Sequence, residues 1–281
     1  MAGRGSVLSF ITSSPPFLAV HLLGRLKVLV TDPVDEAFLE RVGPQVDVEV
    51  ALKLSEDELV EKVADFDVLV VRSRTKVTRR VLEAAKRLKA VIRAGVGVDN
   101  IDMEAAAERG ITVVNTPREP AQSVAELTIA FALCLARRIP YLDRSMKGGL
   151  WLKGEMGLEL RGRVMGLVGL GAIGSAVARL AKALGMKVLA YDPYVPEERA
   201  RELGVELVSL DELLRSSDFL SIHVPLTPET KGLIGREELS KMKEGSFLIN
   251  TSRGGIVDEE ALLEALRSGR LAGAALDVYL K

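Results

Sequence analysis

The sequence predicts an α/β fold with two doubly wound parallel-sheet domains. Three observations support this prediction: short β-branched runs alternate with helical periods from residue 26 onward, most of these runs are apolar throughout, and a second such series starts at Arg163. Strands without a polar face, separated by helices, are typical of a parallel sheet that is covered on both sides. A length of 281 residues also suits two domains.

The first series covers residues 25–118 and predicts one α/β domain. We predict its strands at 26–31, 46–50, 67–71, 90–94 and 111–114. We predict its helices at 34–42, 56–64, 78–87 and 102–109. Ser55 followed three residues later by Glu58 is a capping-box pattern, which predicts where the second helix begins.

A long helical stretch over 121–147 separates the two series. Its first half carries few polar residues, so we expect it to be buried between the domains rather than exposed. Ser123 and Glu126 predict a second capping box at its start. Pro140 predicts a kink or the end of the first helical segment, because proline cannot donate the backbone hydrogen bond that a helix interior needs.

The second series predicts a doubly wound nucleotide-binding sheet, because a glycine turn follows its first strand. We predict its strands at 163–168, 187–191, 205–208, 218–223, 245–249 and 271–277. We predict its helices at 172–185, 196–203, 209–215, 236–242 and 258–268. The second domain is therefore assigned to residues 119–281, and residues 1–24 to a disordered extension, with a signal peptide as the alternative.

Composition excludes several classes of protein. The 38 basic and 39 acidic side chains nearly balance, so bulk charge favours neither a nucleic-acid nor a membrane-surface partner. The longest apolar stretch, 127–136, is shorter than the about 18 residues that a membrane span needs. Cys134 is the one cysteine, which excludes an internal disulfide and a cysteine-based zinc site and suits a cytoplasmic location. We predict no metal site.

The strongest local signal is the glycine motif Gly169, Gly171 and Gly174, which follows an apolar strand and opens a helical period. In this context Gly169 permits the tight turn, Gly171 lets a pyrophosphate approach the backbone, and Gly174 lets the helix pack closely on the strand. The helix N-terminus then offers N–H groups to phosphates. A plain tight strand–helix turn is the alternative interpretation.

Asp192 closes the next strand, about 20 residues further on. A carboxylate there accepts hydrogen bonds from the ribose 2′-hydroxyl and repels a 2′-phosphate, and no arginine follows it directly. We therefore predict NAD rather than NADP as the cofactor. An ordinary Asp-Pro turn at the end of a strand is the alternative.

Several candidate substrate residues also follow strand ends, where ligands bind in doubly wound sheets. Arg253 can grip a carboxylate and polarise a neighbouring carbonyl, or it is a surface ion-pair residue. The glycines at 95 and 97 can expose consecutive N–H groups as an anion nest. Arg72 and Arg74, which flank Ser73, add two cations, so a substrate with more than one anionic group is favoured over a solvated loop.

Histidine is scarce. His21 lies in the predicted extension, and His223 ends a predicted strand. Any mechanism that needs a histidine base has these two to choose from, and a structural role for His223 is the alternative.

Taken together, these residues resemble the D-2-hydroxyacid dehydrogenase family, and within it the D-3-phosphoglycerate dehydrogenases of serine biosynthesis. The matching stretches include VRSRTKVT (71–78), RAGVGVDNID (93–102), SVAELT (123–128), GLELRGRVMGLVGLGAIG (157–174), HVPLTPETKGLI (223–234), NTSRGGIVDEEALLEAL (250–266) and LAGAALDV (271–278). The resemblance implies a flavodoxin-like substrate domain, a Rossmann NAD-binding domain, and a homodimer or higher oligomer built through the second domain and the segment around Trp151.

The resemblance also implies roles for individual residues. Arg253 matches the catalytic arginine of the family. Val96 and Gly97 would hold the substrate carboxylate through their backbone, and Arg72, Ser73 and Arg74 lie where the phosphate is received. The implied dinucleotide contacts are Gly169, Gly171, Ala172, Ile173, Gly174, Asp192, Val224, Thr251, Ser252 and Asp277.

Two departures from the family pattern qualify this expectation. Pro120 stands where many members carry a small polar residue near the substrate. In the family, the catalytic Glu and His lie beyond the position of Lys281, so the 281-residue chain is expected to bind NAD but to turn over weakly or not at all. The alternatives left open are another D-2-hydroxyacid dehydrogenase, such as a glyoxylate or hydroxypyruvate reductase, and a non-catalytic NAD-binding regulatory protein.

Overall fold

The computed structural model describes residues 25–116 and 121–280, and these residues form two compact units. The first unit comprises the residues up to Ala94 together with Asn100–Val114. The second comprises Gly95–Asp99 together with the residues from Asn115 onward. The short segment Gly95–Asp99 therefore groups with the second unit, although it lies within the first series of the sequence. The extension proposed for 1–24 and the domain boundary proposed at 118 lie outside the described residues.

The first unit is built on a five-stranded sheet with the order β2-β1-β3-β4-β5. Its strands are β1 (Lys27–Val30), β2 (Asp47–Val50), β3 (Val68–Val71), β4 (Ala90–Arg93) and β5 (Thr112–Asn115). Its helices are α1 (Glu36–Val42), α2 (Glu56–Lys62), α3 (Arg79–Ala84) and α4 (Met103–Glu108), with a 3₁₀ turn at Val63–Asp65. The pairs β1–β2, β1–β3 and β3–β4 are parallel, which confirms the predicted class of sheet.

Apolar side chains of the central strands are buried on both faces of this sheet, as the continuous apolar runs predict. Leu29, Leu69 and Val91 are inaccessible to solvent on one face, and their neighbours Val30 and Val70 are buried on the other. The strand order reverses between β1 and β3, so the chain leaves these two neighbouring strands in opposite directions. Ligands bind beyond the carboxyl ends of strands at such a switch point. The capping box of Ser55 and Glu58 at the start of α2 is confirmed.

The predicted helical stretch over 121–147 forms two helices, α5 (Ala121–Ala136) and α6 (Ile139–Lys147). The break lies at Arg138, whose φ of 54° is left-handed, and Pro140 follows in the first turn of α6, where its missing N–H costs nothing. The predicted capping box of Ser123 and Glu126 is wrong, because α5 already includes Ala121. Glu126 instead accepts a hydrogen bond from the side chain of Gln122.

The second unit is built on a six-stranded parallel sheet with the order β11-β10-β9-β6-β7-β8. Its strands are β6 (Val164–Val168), β7 (Lys187–Tyr191), β8 (Glu206–Leu207), β9 (Phe219–Ile222), β10 (Ser246–Asn250) and β11 (Leu271–Leu276). Its further helices are α7 (Ala172–Ala183), α8 (Glu197–Leu203), α9 (Leu210–Ser216), α10 (Arg236–Lys241) and α11 (Glu259–Arg267). The order reverses between β6 and β9.

Two apolar clusters cover the faces of this sheet. One contains α5 and α7 side chains packed on Phe219 and Phe247, whose rings stack with centroids 4.8 Å apart. The other contains side chains of α9, α10 and α11, such as Leu213, Leu239 and Leu262. Within the described part of the chain, no helix combines the length and apolarity that a membrane span requires.

Candidate dinucleotide and substrate site

The glycine turn after β6 has a backbone that only glycine accommodates. Gly169 has a φ of 96°, and a Cβ atom there would lie 2.7 Å from the carbonyl oxygen of His223. A Cβ at Gly174 would overlap the carbonyl oxygen of Gly169. The first residue therefore permits the turn, and the third lets α7 start directly against it, as the motif predicts.

Gly171 occupies the opposite kind of environment. A Cβ placed on it would meet no protein atom within 4 Å. This residue is the N-cap of α7 and provides no side chain to cap the helix. The first N–H groups of α7 are thus not satisfied by an N-cap side chain, and the space above them is open. A twelve-residue helix with such a start suits a pyrophosphate.

Asp192 follows β7 and holds the glycine turn in place. One carboxylate oxygen accepts a 2.8 Å hydrogen bond from the N–H of Leu170, and the other accepts one of 2.9 Å from the N–H of Tyr194. The first bond joins the end of β7 to the turn after β6. Each carboxylate oxygen has further acceptor capacity. The ribose contact predicted for this carboxylate is compatible with this geometry and stays a prediction.

The remaining predicted cofactor residues lie at neighbouring strand ends of the second unit. Val224 comes two residues after β9, and a Cβ on Gly169 would lie 2.8 Å from its Cγ1 atom. Ala172 and Ile173 form the first turn of α7. Asp277 directly follows β11 and donates its N–H to the carbonyl of Asn250, the last residue of β10. These side chains therefore share one edge of the sheet.

Thr251 and Ser252 form a buried turn after β10. The hydroxyl oxygens of Thr251 and Thr128 lie 3.0 Å apart, which ties the turn to α5. The side-chain oxygen of Asn250 accepts hydrogen bonds from both the N–H and the hydroxyl of Ser252, at 3.0 and 2.7 Å. The amide of Asn250 in turn donates to the carbonyl of Arg253 at 3.0 Å. The backbone that carries Arg253 is therefore fixed by hydrogen bonds.

His223 lies partly buried beside the glycine turn. Its Nε2 atom lies 2.9 Å from the hydroxyl oxygen of Ser221, and the loss of solvent around the ring lowers the pKa of His223 to about 3. The ring is therefore neutral at physiological pH. This environment favours the structural interpretation of His223 over a role in proton transfer.

Arg253 lies against the segment Gly95–Asp99 within the second unit. Its Nε atom donates to a carboxylate oxygen of Asp99 at 2.9 Å, and Nη1 donates to the carbonyl of Ser252 at 2.7 Å. A Cβ on Gly97 would overlap Nη2, so the guanidinium lies directly over the Gly97 backbone. Among the described residues Nη2 has no acceptor.

The backbone of the same segment presents free donors. The N–H groups of Val96 and Gly97 donate to no acceptor in the part of the chain that the structure describes. The amide of Asn115 donates to the carbonyl of Val96 at 2.5 Å, and Thr116 donates to the carbonyl of Gly95 at 3.0 Å. Two unpaired backbone amides and one guanidinium edge thus lie at the same short segment, and a carboxylate is the ligand that this donor set fits best.

In the first unit, the predicted cations follow β3 at the switch point. Arg72, Ser73 and Arg74 are exposed. Asp32, which follows β1 and is buried, accepts a 2.7 Å hydrogen bond from the N–H of Arg72 and one of 3.2 Å from the N–H of Thr75. It also accepts one of 3.0 Å from Nε of Arg74, whose Nη2 donates to the carbonyl of Thr31.

The electrostatics of Asp32 follow from these bonds. Burial by itself raises the pKa of a carboxyl group, but the hydrogen bonds from Arg72, Arg74 and Thr75 outweigh it and hold the pKa of Asp32 below its ordinary value. The carboxylate is therefore charged, and it fixes one edge of the Arg74 guanidinium. Nη1 of Arg74 has no acceptor among the described residues.

Three residues of these networks are not predicted from the sequence, namely Asp32, Asp99 and Thr128. Asp99 stands inside the glycine segment that was singled out, and Asp32 directly follows a predicted strand. No local pattern connects them to their arginines, which lie 154 and 42 residues further along the chain.

A parallel sheet with a glycine turn at its switch point, an open helix start and a carboxylate after the next strand defines the second unit as a dinucleotide-binding domain. Residues 129–281 match the family model described as D-isomer specific 2-hydroxyacid dehydrogenase, NAD binding domain. The chain belongs to this family. For the family's NAD, the open space at Gly171 and the donors of α7 are the features that fit the pyrophosphate.

Relatives of this family cover most of the chain. This chain is 52% identical over 259 residues to a D-3-phosphoglycerate dehydrogenase of Methanocaldococcus jannaschii. The alignment covers 90% of this chain and 49% of that protein. The chain thus spans about half the length of that relative. It is 48% identical to a hydroxypyruvate reductase of Thermotoga maritima, covering 92% of this chain and 84% of the relative.

Solved structures share the fold of both units. The TT0316 protein of Thermus thermophilus matches with a TM-score of 0.83 and 41% identity, over 90% of this chain and 82% of that one. A D-lactate dehydrogenase of Aquifex aeolicus, solved with NAD and lactic acid, matches with a TM-score of 0.82 and 34% identity, over 90% of this chain and 77% of that one.

Proposed function

We propose that the protein oxidises D-3-phosphoglycerate to 3-phosphohydroxypyruvate with NAD, the first step of serine biosynthesis. The observation that carries this proposal is the 52% identity, across 90% of the chain, to a relative of that name. Arg72 and Arg74 of the first unit would bind the substrate's phosphate, and the second unit would bind NAD and the substrate's carboxylate. A cytoplasmic location is part of the proposal, because the one cysteine excludes an internal disulfide.

The cofactor proposal rests on the carboxyl edge of the second sheet. The pyrophosphate would lie on the N–H groups at the start of α7, above Gly171, and the carboxylate of Asp192 would accept from the ribose hydroxyls. The same carboxylate would repel a 2′-phosphate, which supports NAD over NADP. Val224, Thr251, Ser252 and Asp277 would surround the nicotinamide half, because they follow the strands on the other side of the switch point.

Arg253 is the proposed catalytic residue. The substrate carboxylate would accept hydrogen bonds from the N–H groups of Val96 and Gly97 and from Nη2 of Arg253. The guanidinium would then hold the C2 oxygen and favour the negative charge that collects there. When bound, NAD supplies the hydride acceptor at C4 of its nicotinamide ring. The chain's own residues bind and orient the substrate, which is itself a large part of the rate enhancement of such reactions.

The phosphate group gives Arg72 and Arg74 a role. Two exposed guanidinium groups after β3, one of them held by Asp32, provide charge-assisted donors for a dianionic group. Ser73 between them can donate its hydroxyl. A neutral hydroxymethyl group in the same position would leave both cations without a partner, so these residues support a phosphorylated substrate.

Hydroxypyruvate reduction is the second candidate. The observation that favours it is the Thermotoga maritima relative, because this chain covers 84% of that protein's length rather than half of it. Hydroxypyruvate lacks the phosphate, so Arg72 and Arg74 separate the two candidates.

The test compares phosphorylated and unphosphorylated ligands. Binding of 3-phosphoglycerate and of glycerate to the NADH-loaded protein would be measured by calorimetry, alongside rates with each substrate. We expect 3-phosphoglycerate to bind at least about tenfold more tightly, because charged hydrogen bonds contribute about 1.5–3 kcal/mol each. We expect the double variant R72A/R74A to lose this preference, whereas the control R80A keeps it, since Arg80 is an exposed partner of Asp57 in the same unit.

Equal binding of both ligands by the wild-type protein, with no effect of R72A/R74A, would contradict the phosphorylated substrate and favour hydroxypyruvate. Binding of NADH without either acid would instead support a non-catalytic NAD-binding protein.

We also propose a homodimer or higher oligomer formed through α6 and the segment that follows it. Support comes from a row of exposed apolar side chains there, including Met146, Leu150 and Trp151, which is 73% exposed. Exposed apolar side chains of this size are stabilised when a partner covers them, because apolar surface is removed from water. Light scattering after gel filtration measures the mass directly, and a W151E variant should shift it towards the monomer.

A further inference from the structure

We infer that Asp99 is the positioning residue of Arg253: its carboxylate holds the guanidinium over the Gly97 backbone, so that Nη2 and the free N–H groups of Val96 and Gly97 can all donate to the substrate carboxylate. This inference deepens the proposed function and rests on it for the identity of the ligand. The contact itself, a 2.9 Å bond from Nε of Arg253 to Asp99, stands independently of the substrate.

Two N–H donors of Arg253 are already paired within the protein. A guanidinium has five N–H donors in one plane. The Nε donor is taken by Asp99 and one Nη1 donor by the carbonyl of Ser252. With two points of the plane fixed, the group cannot rotate about its last bonds. The free donors are therefore confined to the edge that carries Nη2.

Nη2 occupies the space that a Cβ on Gly97 would take, so the free edge lies over the Gly97 backbone. The N–H groups of Val96 and Gly97 have no acceptor among the described residues. Asp99 lies two residues further along the same segment. One short loop therefore supplies the two amide donors and also the carboxylate that holds the third donor over the same loop.

The side chains of Arg253 and Asp99 are 31% and 48% exposed, so solvent screens the pair. Such a pair contributes little to overall stability. Because Asn250 already holds the backbone at Arg253, the contact with Asp99 has only the side-chain rotamer left to select, and we expect it to do so. Loss of Asp99 should therefore alter the position of Arg253 without unfolding the unit.

Two readouts test the inference. The first uses oxalate, an unreactive dicarboxylate, titrated into the NADH-loaded protein and followed by NADH fluorescence. We expect D99A to weaken oxalate binding about fivefold to tenfold and D99N, which keeps a hydrogen-bond acceptor, to weaken it less. NADH binding should not change. The matched control is D211N, which removes an exposed aspartate that pairs with Lys241 in the same unit.

A double-mutant cycle separates positioning from a general structural effect. In the R253A background, D99A should weaken oxalate binding less than twofold, because the arginine that it positions is gone. An equal loss of affinity in both backgrounds would overturn the inference. So would an unchanged affinity in D99A alone.

The second readout does not depend on the ligand. In nitrogen-15 NMR spectra the Nε–H signal of Arg253, assigned by its loss in R253K, should exchange slowly in the wild-type protein and quickly in D99A. If oxalate does not bind the wild-type protein, the proposed substrate class fails. The NMR signal then still decides whether Asp99 holds Arg253, and equal exchange in wild type and D99A overturns the inference.

Discussion

At its amino end, each of the two parallel sheets carries a buried aspartate that joins the two strands between which the strand order reverses. Asp67 precedes β3 and accepts a 3.0 Å hydrogen bond from the N–H of Lys27, the first residue of β1. Asp218 precedes β9 and accepts one of 2.9 Å from the N–H of Val164, the first residue of β6. Each carboxylate also pairs with two cations from the flanking chain.

The carboxyl ends of the same strand pairs differ. In the first unit Asp32 is buried after β1 and ties down the turn that carries Arg72 and Arg74. In the second unit the turn after β6 contains glycines, and the space at Gly171 is open. One sheet therefore ends in a turn with two cations, of which the Arg74 guanidinium is held in place, and the other ends in free backbone donors. The amino ends share one arrangement of contacts, whereas under the proposed function the carboxyl ends differ because one would bind a phosphate group and the other NAD.

The largest effect is expected at the glycine turn of the second unit. Ala in place of Gly169 must adopt a φ of 96° and approach the carbonyl of His223, so we expect G169A to lose about 3 kcal/mol of unfolding free energy. The matched variant G171A meets no protein atom and should unfold like the wild type, while its new methyl group weakens NADH binding at least about tenfold.

Urea unfolding and calorimetric titration with NADH measure these two effects separately. Tight NADH binding by a stable G171A protein would contradict the assignment of the open space to the pyrophosphate.

The next effect tests the fixed carboxyl end of the first unit. Replacing Asp32 by Ala removes the one carboxylate oxygen to which the N–H groups of Arg72 and Thr75 both donate, so both donors lose their acceptor. We expect D32A to destabilise the protein by about 2–3 kcal/mol, with fast hydrogen exchange at those two amides. Exchange rates in the second unit serve as the internal control. Unchanged protection in the first unit would contradict the role of Asp32.

A smaller effect, dependent on pH, is expected at the amino ends. Burial raises the pKa values of Asp67 and Asp218, but their hydrogen bonds and neighbouring cations outweigh it and hold both pKa values below the ordinary 3.8. Their stabilisation is therefore complete above pH 3.8 and is lost as the pH falls through the lower, folded pKa. D67N and D218N should each lose about 1–2 kcal/mol at pH 7.

Urea unfolding at several pH values measures this dependence. The difference in unfolding free energy between each variant and the wild type should shrink as the pH falls below 3.8. A difference that grows as the pH falls would contradict the direction of the shift. D57N is the control, because Asp57 is an exposed partner of Arg80 and should contribute little.

The sequence predicts elements well where composition changes abruptly. Strand β3, predicted at 67–71, is observed at Val68–Val71, because the polar Asp67 and Arg72 bound an apolar run. Helix α3, predicted to end at residue 87, ends at Ala84, since no glycine or proline marks its end. The glycine turn was predictable because its conformation depends on a few neighbouring residues, which must be glycine for the backbone to turn there. The pair of Asp99 and Arg253 was not, because 154 residues separate them and only the fold brings them together.

The smallest effect concerns the cations at the amino ends. Lys89 pairs with Asp67 and Lys243 with Asp218, but these lysine side chains are 64% and 50% exposed. K89A and K243A should each change the unfolding free energy by no more than about 0.5 kcal/mol, because water screens the charge and each carboxylate keeps its backbone N–H partner. Urea unfolding at low and high salt measures both. The outcome that would contradict this is a lysine variant that loses as much unfolding free energy as D67N or D218N. In that case the ion pair, and not the backbone hydrogen bond, would join the strands, and the two amino ends would resemble each other only in their surface charges.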